Sequence, residues 1–148
     1  MRFLIQRVTS ANVTIEDRIV GAINRGFCVF VGISESDTRE IADKMIHKLV
    51  NMRIFSDACG KTNLNLASVD GELLIISQFT LYADCRHGNR PSFLEAGKPE
   101  PSRELYEYII AKCRQSVPVV EHGEFGADMQ VSIVNDGPFT VWLDSEML

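Results

Sequence analysis

Several common functional motifs are missing from this 148-residue sequence. It contains no GxGxxG, HExxH, CxxC, SxxK or GxSxG pattern. Gly60-Lys61-Thr62 resembles the end of a phosphate-binding loop, but Phe55 stands where that motif needs its first glycine. These absences argue against a dinucleotide fold, a zinc site of ordinary spacing and a serine hydrolase of a familiar kind. We therefore expect no metal and no cofactor, and we see no ordinary nucleophile beside a base.

The sequence also lacks long apolar runs and an excess of positive charge. No apolar run approaches the roughly 20 residues of a membrane span, so we expect no membrane partner. Fifteen Lys and Arg residues against twenty Asp and Glu residues give a net charge of -5, and residues 115–148 contain no Lys or Arg. A protein that covers a long nucleic acid needs cations to neutralise phosphates. A nucleic-acid partner would therefore be held by one end.

Neighbouring cysteines lie at least 26 residues apart in the sequence, so none forms a CxxC pair, which excludes a zinc knuckle and a thioredoxin motif. Cys28 lies in an apolar run, which is typical of a buried, reduced thiol. The N-terminal segment becomes polar too early for a signal peptide. These features together predict a reducing, cytoplasmic setting.

The apolar pattern predicts a single domain over residues 1–148 with two helices. The first helix would open at a capping box, Asp37 to Glu40, and continue to about Asn51. The second would be capped by Ser102 and bury Leu105, Ile109 and Cys113. A loop rich in Gly, Pro, Asn and Arg would precede it, over 84–101.

Strand-like patterns fill the rest of the chain, without strict alternation with the helices. The pattern indicates an α+β fold with a curved, mainly antiparallel sheet or partial β-barrel and two packed helices. The run 27–33 is apolar on both faces, as in a central strand. The predicted strands are 3–15, 19–23, 27–33, 52–55, 72–82, 129–135 and 139–143.

Two short segments have the composition of a site. In Ser77-Gln78-Phe79-Thr80-Leu81, polar side chains interrupt an apolar strand, where an unpartnered polar group costs about 1–3 kcal/mol. A strand end entering solvent would also explain them. In Asn135-Asp136-Gly137-Pro138-Phe139-Thr140, a proline that cannot donate a ladder hydrogen bond separates two strands. An ordinary turn would explain that segment equally well.

Together the two segments closely resemble the signatures of the D-aminoacyl-tRNA deacylase family, also called D-tyrosyl-tRNA deacylase. Both signatures, SQFTL and NxGPxT, are intact here, at 77–81 and 135–140. The first eight residues, Phe55 to Asp57, Asn89 to Phe93 and the overall length are similar to the family as well. The resemblance therefore covers essentially the whole chain.

The resemblance implies an enzyme that cleaves the ester between a D-amino acid and the 3' end of tRNA. The implied protein is a homodimer with two sites at the subunit interface. Phe79 and Thr80 would act in catalysis, and Ser77 and Gln78 would shape the substrate site. Backbone N–H groups would bind the ester carbonyl while the substrate's 2'-hydroxyl helps to activate water. Thr80 as a covalent nucleophile is the competing route.

The resemblance also implies how the two mirror-image esters are distinguished. A cis peptide would join Gly137 and Pro138, whose carbonyls would hold the substrate's amino group in the partner's pocket and exclude an L side chain. Glycyl-tRNA would then be a substrate too. Arg7 would brace this loop, and hydrogen bonds from Asn135 and Thr140 would fix it. Arg86 and Arg90 are candidate phosphate contacts.

Three other interpretations remain open at this point. The first is a module that binds an RNA end without catalysis. The second is a thiol hydrolase using Cys85 near His87, although residues two apart on a strand are not placed for proton transfer. The third is a purely structural dimerisation domain, which gives no reason for the Gly-Pro pair.

Overall fold

The computed structural model of the chain describes residues 1–148. Two α-helices, eight β-strands and three short 3-10 turns account for its regular structure. The helices are α1 (Arg39–Asn51) and α2 (Pro99–Cys113), and the turns are Ala67–Val69, Phe79–Tyr82 and Ser145–Met147. The strands are β1 (Arg2–Ile15), β2 (Arg18–Ile23), β3 (Gly26–Gly32), β4 (Phe55–Ser56), β5 (Thr62–Leu64), β6 (Glu72–Ser77), β7 (Val120–His122) and β8 (Gln130–Asp144).

Six strands form one curved, mixed sheet, and β4 and β5 form a small second one. The main sheet runs β2-β1-β3-β6-β7, and β8 also pairs with β1. β1 is antiparallel to its three neighbours, whereas β3, β6 and β7 are mutually parallel. A Cβ on Gly21 of β2 would lie 3.1 Å from the carbonyl oxygen of His122 on β7, so the sheet nearly closes on itself. The predicted α+β fold with a partial barrel and two helices is confirmed.

The central strands are buried on both faces, as their composition predicts. One face joins a 23-residue core under the two helices, to which Phe27 and Ile75 belong. The other face joins a seven-residue cluster that includes Cys28 and Leu74. Burying each face of the sheet holds β3 and β6 in register, which fixes the position at which β6 ends.

Both helices start at a residue other than the one the sequence predicts. Thr38 caps α1 by accepting a hydrogen bond from the Ile41 amide at 3.4 Å, while Asp37 instead binds the Met1 amine and the Ser34 amide. α2 begins at Pro99, a residue suited to the first helical position because it has no N–H to satisfy. Ser102 therefore lies inside the helix and does not cap it.

Four predicted strands also have different limits in the structure. The run 72–82 stops being a strand after Ser77, and only Phe55 of the run 52–55 is in a strand. The segments 129–135 and 139–143 are two parts of the single strand β8, both paired with β1. Apolar composition predicts burial in each case, but the strand limits depend on pairing partners distant in sequence.

Candidate active site

The segment Ser77–Leu81, called the polar segment below, begins where β6 leaves the sheet. The amide of Gln78 donates to the carbonyl of Val31 at 2.8 Å, and β3 ends one residue later, at Gly32. Without a further partner strand, the chain turns into the 3-10 turn that starts at Phe79. The first residues of such a turn have amides with no acceptor inside it. The amides of Phe79 and Thr80 occupy these positions.

The far end of the turn is anchored to β1. Arg2 donates to the carbonyl of Leu81 at 2.9 Å, and its guanidinium carbon lies 4.2 Å from the centre of the Tyr82 ring. Burial raises the pKa of Tyr82 to about 12, so this phenol stays neutral. The polar segment is thus held at one end by a backbone hydrogen bond to β3 and at the other by the Arg2 side chain.

The hydroxyl of Thr80 has an amide as its hydrogen-bond partner. The side-chain nitrogen of Gln78 donates to Thr80 Oγ1. An amide nitrogen donates hydrogen bonds and does not remove a proton, so Gln78 is no general base for this hydroxyl. Thr80 itself is exposed. The arrangement orients the hydroxyl without activating it as a nucleophile.

A pocket of about 570 Å³, called the strand-end pocket below, lies beside the polar segment. Ser77, Gln78 and Phe79 contribute to its lining, whereas Thr80 does not. Phe79 is 56% exposed and packs edge-on against Phe93 at 5.1 Å between ring centres. The lining is mostly apolar, which suits a ligand with a flat, weakly polar part. The full lining is Val31, Ile33, Ile76, Ser77, Gln78, Phe79, Phe93, Ala96, Gly97, Pro99, Ser102, Phe125, Gly126, Ala127, Asp128, Met129 and Val131.

One wall of this pocket depends on Tyr106 of α2. Its hydroxyl donates to the carbonyl of Ile75 at 2.8 Å and also contacts that of Gly123 at 3.3 Å, and its burial raises the pKa of the phenol. Its ring packs against Phe125 at 5.9 Å. Neither Phe125 nor Met129 belongs to a short motif, so sequence reasoning missed this wall.

The second signature lies in the middle of β8. Thr140 pairs with Gln6 of β1 and Asn135 pairs with Val8, so the four intervening residues are placed opposite Arg7 alone. These four residues, Asp136–Phe139, form what we call the Gly-Pro bulge. A bulge of this kind interrupts a ladder and pushes the extra residues out of it. Gly137 and Pro138 are exposed there, and the peptide bond between them is cis.

Arg7 holds the base of the Gly-Pro bulge. Its Nε donates to the Asp136 carbonyl at 3.1 Å and forms an ion pair with the Asp136 carboxylate, while its NH1 donates to the carbonyl of Ile54. The guanidinium carbon also lies 4.9 Å from the centre of the Phe139 ring. Only 12% of the Arg7 side chain is exposed. The predicted bracing role of Arg7 is thus consistent with its contacts.

Gly137 has a backbone conformation that other residues rarely adopt. Its φ is +128°, and a Cβ there would lie 3.0 Å from the Phe139 amide nitrogen and 3.3 Å from Arg7. A side chain at this position would therefore strain the bulge.

The two signatures are well separated within one chain. Ser77 pairs with Val31, and Val31 pairs with Phe3, which is four residues along β1 from Arg7. β8 adds to the opposite edge of β1, so β1 and β3 stand between the bulge and the polar segment. At about 3.3 Å per residue and 4.8 Å per strand, the separation is roughly 13 Å along the sheet and 14 Å across it. The chain therefore does not bring its own two signatures together.

The loop that follows the polar segment contains Arg86 and Arg90, and only one of these two predicted phosphate contacts is free of an ion pair. Arg86 donates to both carboxylate oxygens of Asp84 at 2.9 and 2.8 Å, and also lies 3.5 Å from Glu95. The Arg86 hydrogen bonds lower the pKa of Asp84 to about 2. Arg86 is thus already neutralised, which weakens it as a phosphate contact, whereas Arg90 forms no ion pair.

The four cysteines are all free, and two of them are buried. Burial raises the pKa of Cys28 and of Cys113 to about 12, so neither is a thiolate near neutral pH. Cys85 is exposed, and no hydrogen bond joins it to His87.

No group of three or more His, Cys, Asp or Glu side chains is placed to hold a metal ion. Neither helix combines the length and apolar character that crossing a bilayer requires.

A larger cavity, of about 920 Å³, lies between the C-terminal ends of α1 and α2. It contains none of the predicted site residues, so the strand-end pocket is the better candidate despite its smaller volume.

Fold and site together define an α+β partial-barrel protein whose polar segment borders an apolar pocket and lacks an acid–base triad. The chain belongs to the D-Tyr-tRNA(Tyr) deacylase family, whose model matches residues 4–144. It is 52% identical over 146 residues to the D-aminoacyl-tRNA deacylase of Clostridium novyi (strain NT), covering 99% of this chain and 98% of that relative. It is also 52% identical over 140 residues to that of Pseudomonas syringae pv. tomato (strain ATCC BAA-871 / DC3000), covering 95% and 97%.

Solved structures agree with this assignment of the fold. A structure titled c-Myc DNA Unwinding Element Binding Protein superposes with a TM-score of 0.92 at 38% identity, covering 97% of this chain and 98% of that one. A probable eukaryotic D-amino acid tRNA deacylase superposes with a TM-score of 0.83, covering 96% and 97%. The second is only 16% identical and therefore supports the fold alone.

Proposed function

We propose that this protein hydrolyses the ester bond of D-aminoacyl-tRNA and releases the free D-amino acid and the tRNA. The observation that carries the proposal is the strand-end pocket, which the SQFTL signature borders where β6 leaves the sheet. Family membership and relatives at about half identity over nearly the whole chain support it independently. The reaction makes the protein a carboxylic ester hydrolase.

The mechanism we favour relies on position and not on an activated side chain. An aminoacyl ester is already reactive, so orientation and stabilisation of the developing oxyanion supply most of what the reaction needs. The amides of Phe79 and Thr80, which have no acceptor inside their turn, are the donors we assign to the ester carbonyl oxygen. The terminal ribose 2'-hydroxyl then helps a water molecule to attack the carbonyl carbon. The tetrahedral intermediate collapses with loss of the 3'-oxygen of the tRNA, which takes up a proton.

Chiral selection requires the second signature, which one chain holds far from its own polar segment. We propose a homodimer in which the Gly-Pro bulge of each protomer enters the site of the other. The carbonyls of Gly137 and Pro138 would accept hydrogen bonds from the substrate's α-amino group. An L side chain would then point into the bulge and clash, whereas a D side chain would point away from it. Glycine carries no side chain to reject, so glycyl-tRNA is an expected substrate.

Supporting roles follow from the contacts of the bulge and the polar segment. Arg7 would hold the bulge in its position above β1. Asn135 and Thr140, which pair with β1 on either side of the bulge, would fix its two ends. Ser77 and Gln78 would line the substrate site, and Gln78 would also orient the Thr80 hydroxyl.

Four free cysteines, two of them exposed, suit a reducing compartment, and we propose a cytoplasmic location.

The direct test is a deacylation assay with matched D-tyrosyl-, L-tyrosyl- and glycyl-tRNA. Loss of the D-tyrosyl and glycyl esters with retention of the L ester is the expected result. A non-catalytic RNA-end binder would leave all three esters intact. Prior treatment with iodoacetamide separates the thiol alternative, because blocking Cys85 would stop a thiol hydrolase but should leave this protein active.

A further inference from the structure

We propose that Arg103 is a phosphate-binding residue at the rim of the strand-end pocket, where it contacts the sugar-phosphate backbone next to the terminal nucleoside. The inference rests on the proposed function, because it assumes that the ligand of this pocket is the 3' end of an RNA. It adds a positioning residue that neither of the two signatures contains.

The strand-end pocket has a negative charge in its lining. Asp128 is the only charged residue in its lining, so the pocket adds one negative charge where a polyanionic substrate must approach. Like charges at short range repel, and the protein as a whole also carries a net charge of -5. A cation close to the rim is therefore needed to hold the RNA backbone.

Arg103 lies on the exposed side of α2, next to this pocket. Its guanidinium carbon lies 5.5 Å from the centre of the Phe125 ring, and Phe125 lines the strand-end pocket. Cation–aromatic contact of this kind holds a long side chain in place without consuming its hydrogen-bond donors. Arg103 thus presents its donors at the wall of the pocket.

Arg103 differs from the other cations of this region because it is both unpaired and held beside the pocket. Arg86 is paired with Asp84 and Glu95, and Lys98 is paired with Glu35. Arg90 is unpaired, but no aromatic contact holds it beside the pocket as Phe125 holds Arg103. Arg103 forms no ion pair, although Glu100 and Glu107 are spaced three and four residues away from it on α2. Its guanidinium therefore remains available to a phosphate, for which the planar fork is well matched.

The start of α2 also borders the pocket, through Pro99 and Ser102. Helix starts often bind phosphates through free backbone amides. Here both Pro99 and Pro101 lack an N–H, and the Ser102 amide donates to the Lys98 carbonyl at 3.1 Å. Only Glu100 retains a free amide in this turn. An anion at this rim must therefore depend on a side chain, and Arg103 is the one held there.

The test compares two substrates that differ in their phosphates. D-Tyrosyl-tRNA carries the backbone phosphate, whereas the D-tyrosyl ester of adenosine has none. Arg103→Gln should lower kcat/KM for D-tyrosyl-tRNA roughly fivefold and leave the adenosine ester unchanged. It should also reduce the slope of log kcat/KM against log salt by about 0.7, as expected for one lost phosphate contact to a single strand.

Arg39→Gln is the matched control. Arg39 lies 5.1 Å from the ring centre of Tyr108, so it makes the same kind of contact on an exposed helix surface, but neither residue lines the pocket. It should leave both substrates and the salt slope unchanged. Arg103→Lys should restore part of the tRNA rate, because it keeps the charge.

The outcomes separate the inference from the proposed function. An equal effect of Arg103→Gln on both substrates, or no effect on either, would overturn the role of Arg103 and leave the hydrolase intact. If the unaltered protein hydrolyses neither D ester, the proposed function fails, and this inference falls with it.

Discussion

The two signature segments are built in opposite ways. The polar segment follows a strand buried on both faces and borders an apolar pocket in its own chain. The Gly-Pro bulge interrupts an antiparallel strand that pairs on one side only, and it lines neither the strand-end pocket nor the larger cavity. One segment is placed by the core of the protein, and the other is placed by Arg7 and projects outward.

This difference suggests how the work is divided. A rigid segment beside a pocket suits the reacting ester, because orientation must be kept within small tolerances. A bulge that projects from the surface is suited to excluding an L side chain from a site on a second molecule. The separation of roughly 13 by 14 Å in the sheet is the reason why we propose that the bulge acts in the partner's site.

The largest expected effect comes from removing one backbone donor of the polar segment. Phe79→Pro deletes the Phe79 amide hydrogen at the first position of a 3-10 turn, where proline fits. We expect kcat for D-tyrosyl-tRNA to fall by about 10²–10³, the usual cost of one oxyanion donor. Phe79→Ala keeps the amide and removes only the ring, so it should retain most of kcat. If kcat falls equally in the two variants, the Phe79 amide does not stabilise the oxyanion.

The next largest effect should be a loss of preference for D over L esters when the Gly-Pro bulge is altered. Gly137→Ala places a Cβ 3.0 Å from the Phe139 amide at a φ of +128°. A strain of about 1–3 kcal/mol should distort the bulge and lower the preference for D over L esters roughly tenfold to a hundredfold. Initial rates on both tyrosyl-tRNAs measure the preference. Gly60→Ala, also at positive φ but with open space around it, is the control for strain alone.

Removing the support of the bulge should have a smaller effect on the same property. Arg7→Gln loses the ion pair with Asp136 and the hydrogen bond to Ile54, and should lower the free energy of unfolding by about 1–3 kcal/mol. The preference for the D ester should fall, with kcat for that ester changed less. Arg18→Gln, at an exposed pair with Glu16, should change neither quantity. An unchanged preference in Arg7→Gln would contradict the bracing role.

The Thr80 hydroxyl should matter little to the rate. Its partner is the Gln78 amide, which is not a base, so Thr80→Ala should keep kcat within about threefold of the unaltered protein. Single-turnover assays on D-tyrosyl-tRNA measure this. If Thr80→Ala abolishes turnover while the tRNA still binds, the threonine is the nucleophile and the substrate-assisted route is wrong.

The smallest effect concerns the wall of the pocket and should appear in stability alone. Ser102 is 6% exposed, and its hydroxyl has no hydrogen-bond partner. Ser102→Ala removes an unsatisfied group and improves helix propensity, so Tm should stay equal or rise by about 2–4 °C. Ser116→Ala, which deletes a hydroxyl that donates to Cys113, should not raise Tm. A clear fall of Tm in Ser102→Ala would reveal a partner for its hydroxyl.

The sequence was most informative where local pattern and burial agree. The helix ending at Asn51 and the strand starting near Phe3 follow from their periodicity, and the structure has both. The limits of β6 did not follow, because the strand ends where β3 ends and that pairing partner lies about 45 residues away. The cap of α2 did not follow either, because Pro99 starts the helix before Ser102 is reached.

Some residues of the site can likewise be predicted from local sequence, whereas others depend on the tertiary structure. The two signatures are visible as short strings, so Ser77 to Thr80 and Asn135 to Thr140 are predictable from the sequence. Phe125 and Arg103 are not, because only the tertiary structure places a ring from the segment after β7 and a cation from α2 at one pocket. The distance between the two signatures likewise depends on strand order, which no short string encodes.

In the homodimer that we propose, each site combines the polar segment of one protomer with the Gly-Pro bulge of its partner. Heterodimers carrying two different tags, one protomer with Phe79→Pro and the other with Gly137→Ala, test it most directly. We predict hydrolysis at about half the rate of the unaltered dimer with full preference for the D ester, because one site then holds both intact segments. A heterodimer that hydrolyses with the weakened preference of the Gly137→Ala homodimer would contradict it, since the two segments would then act within a single chain.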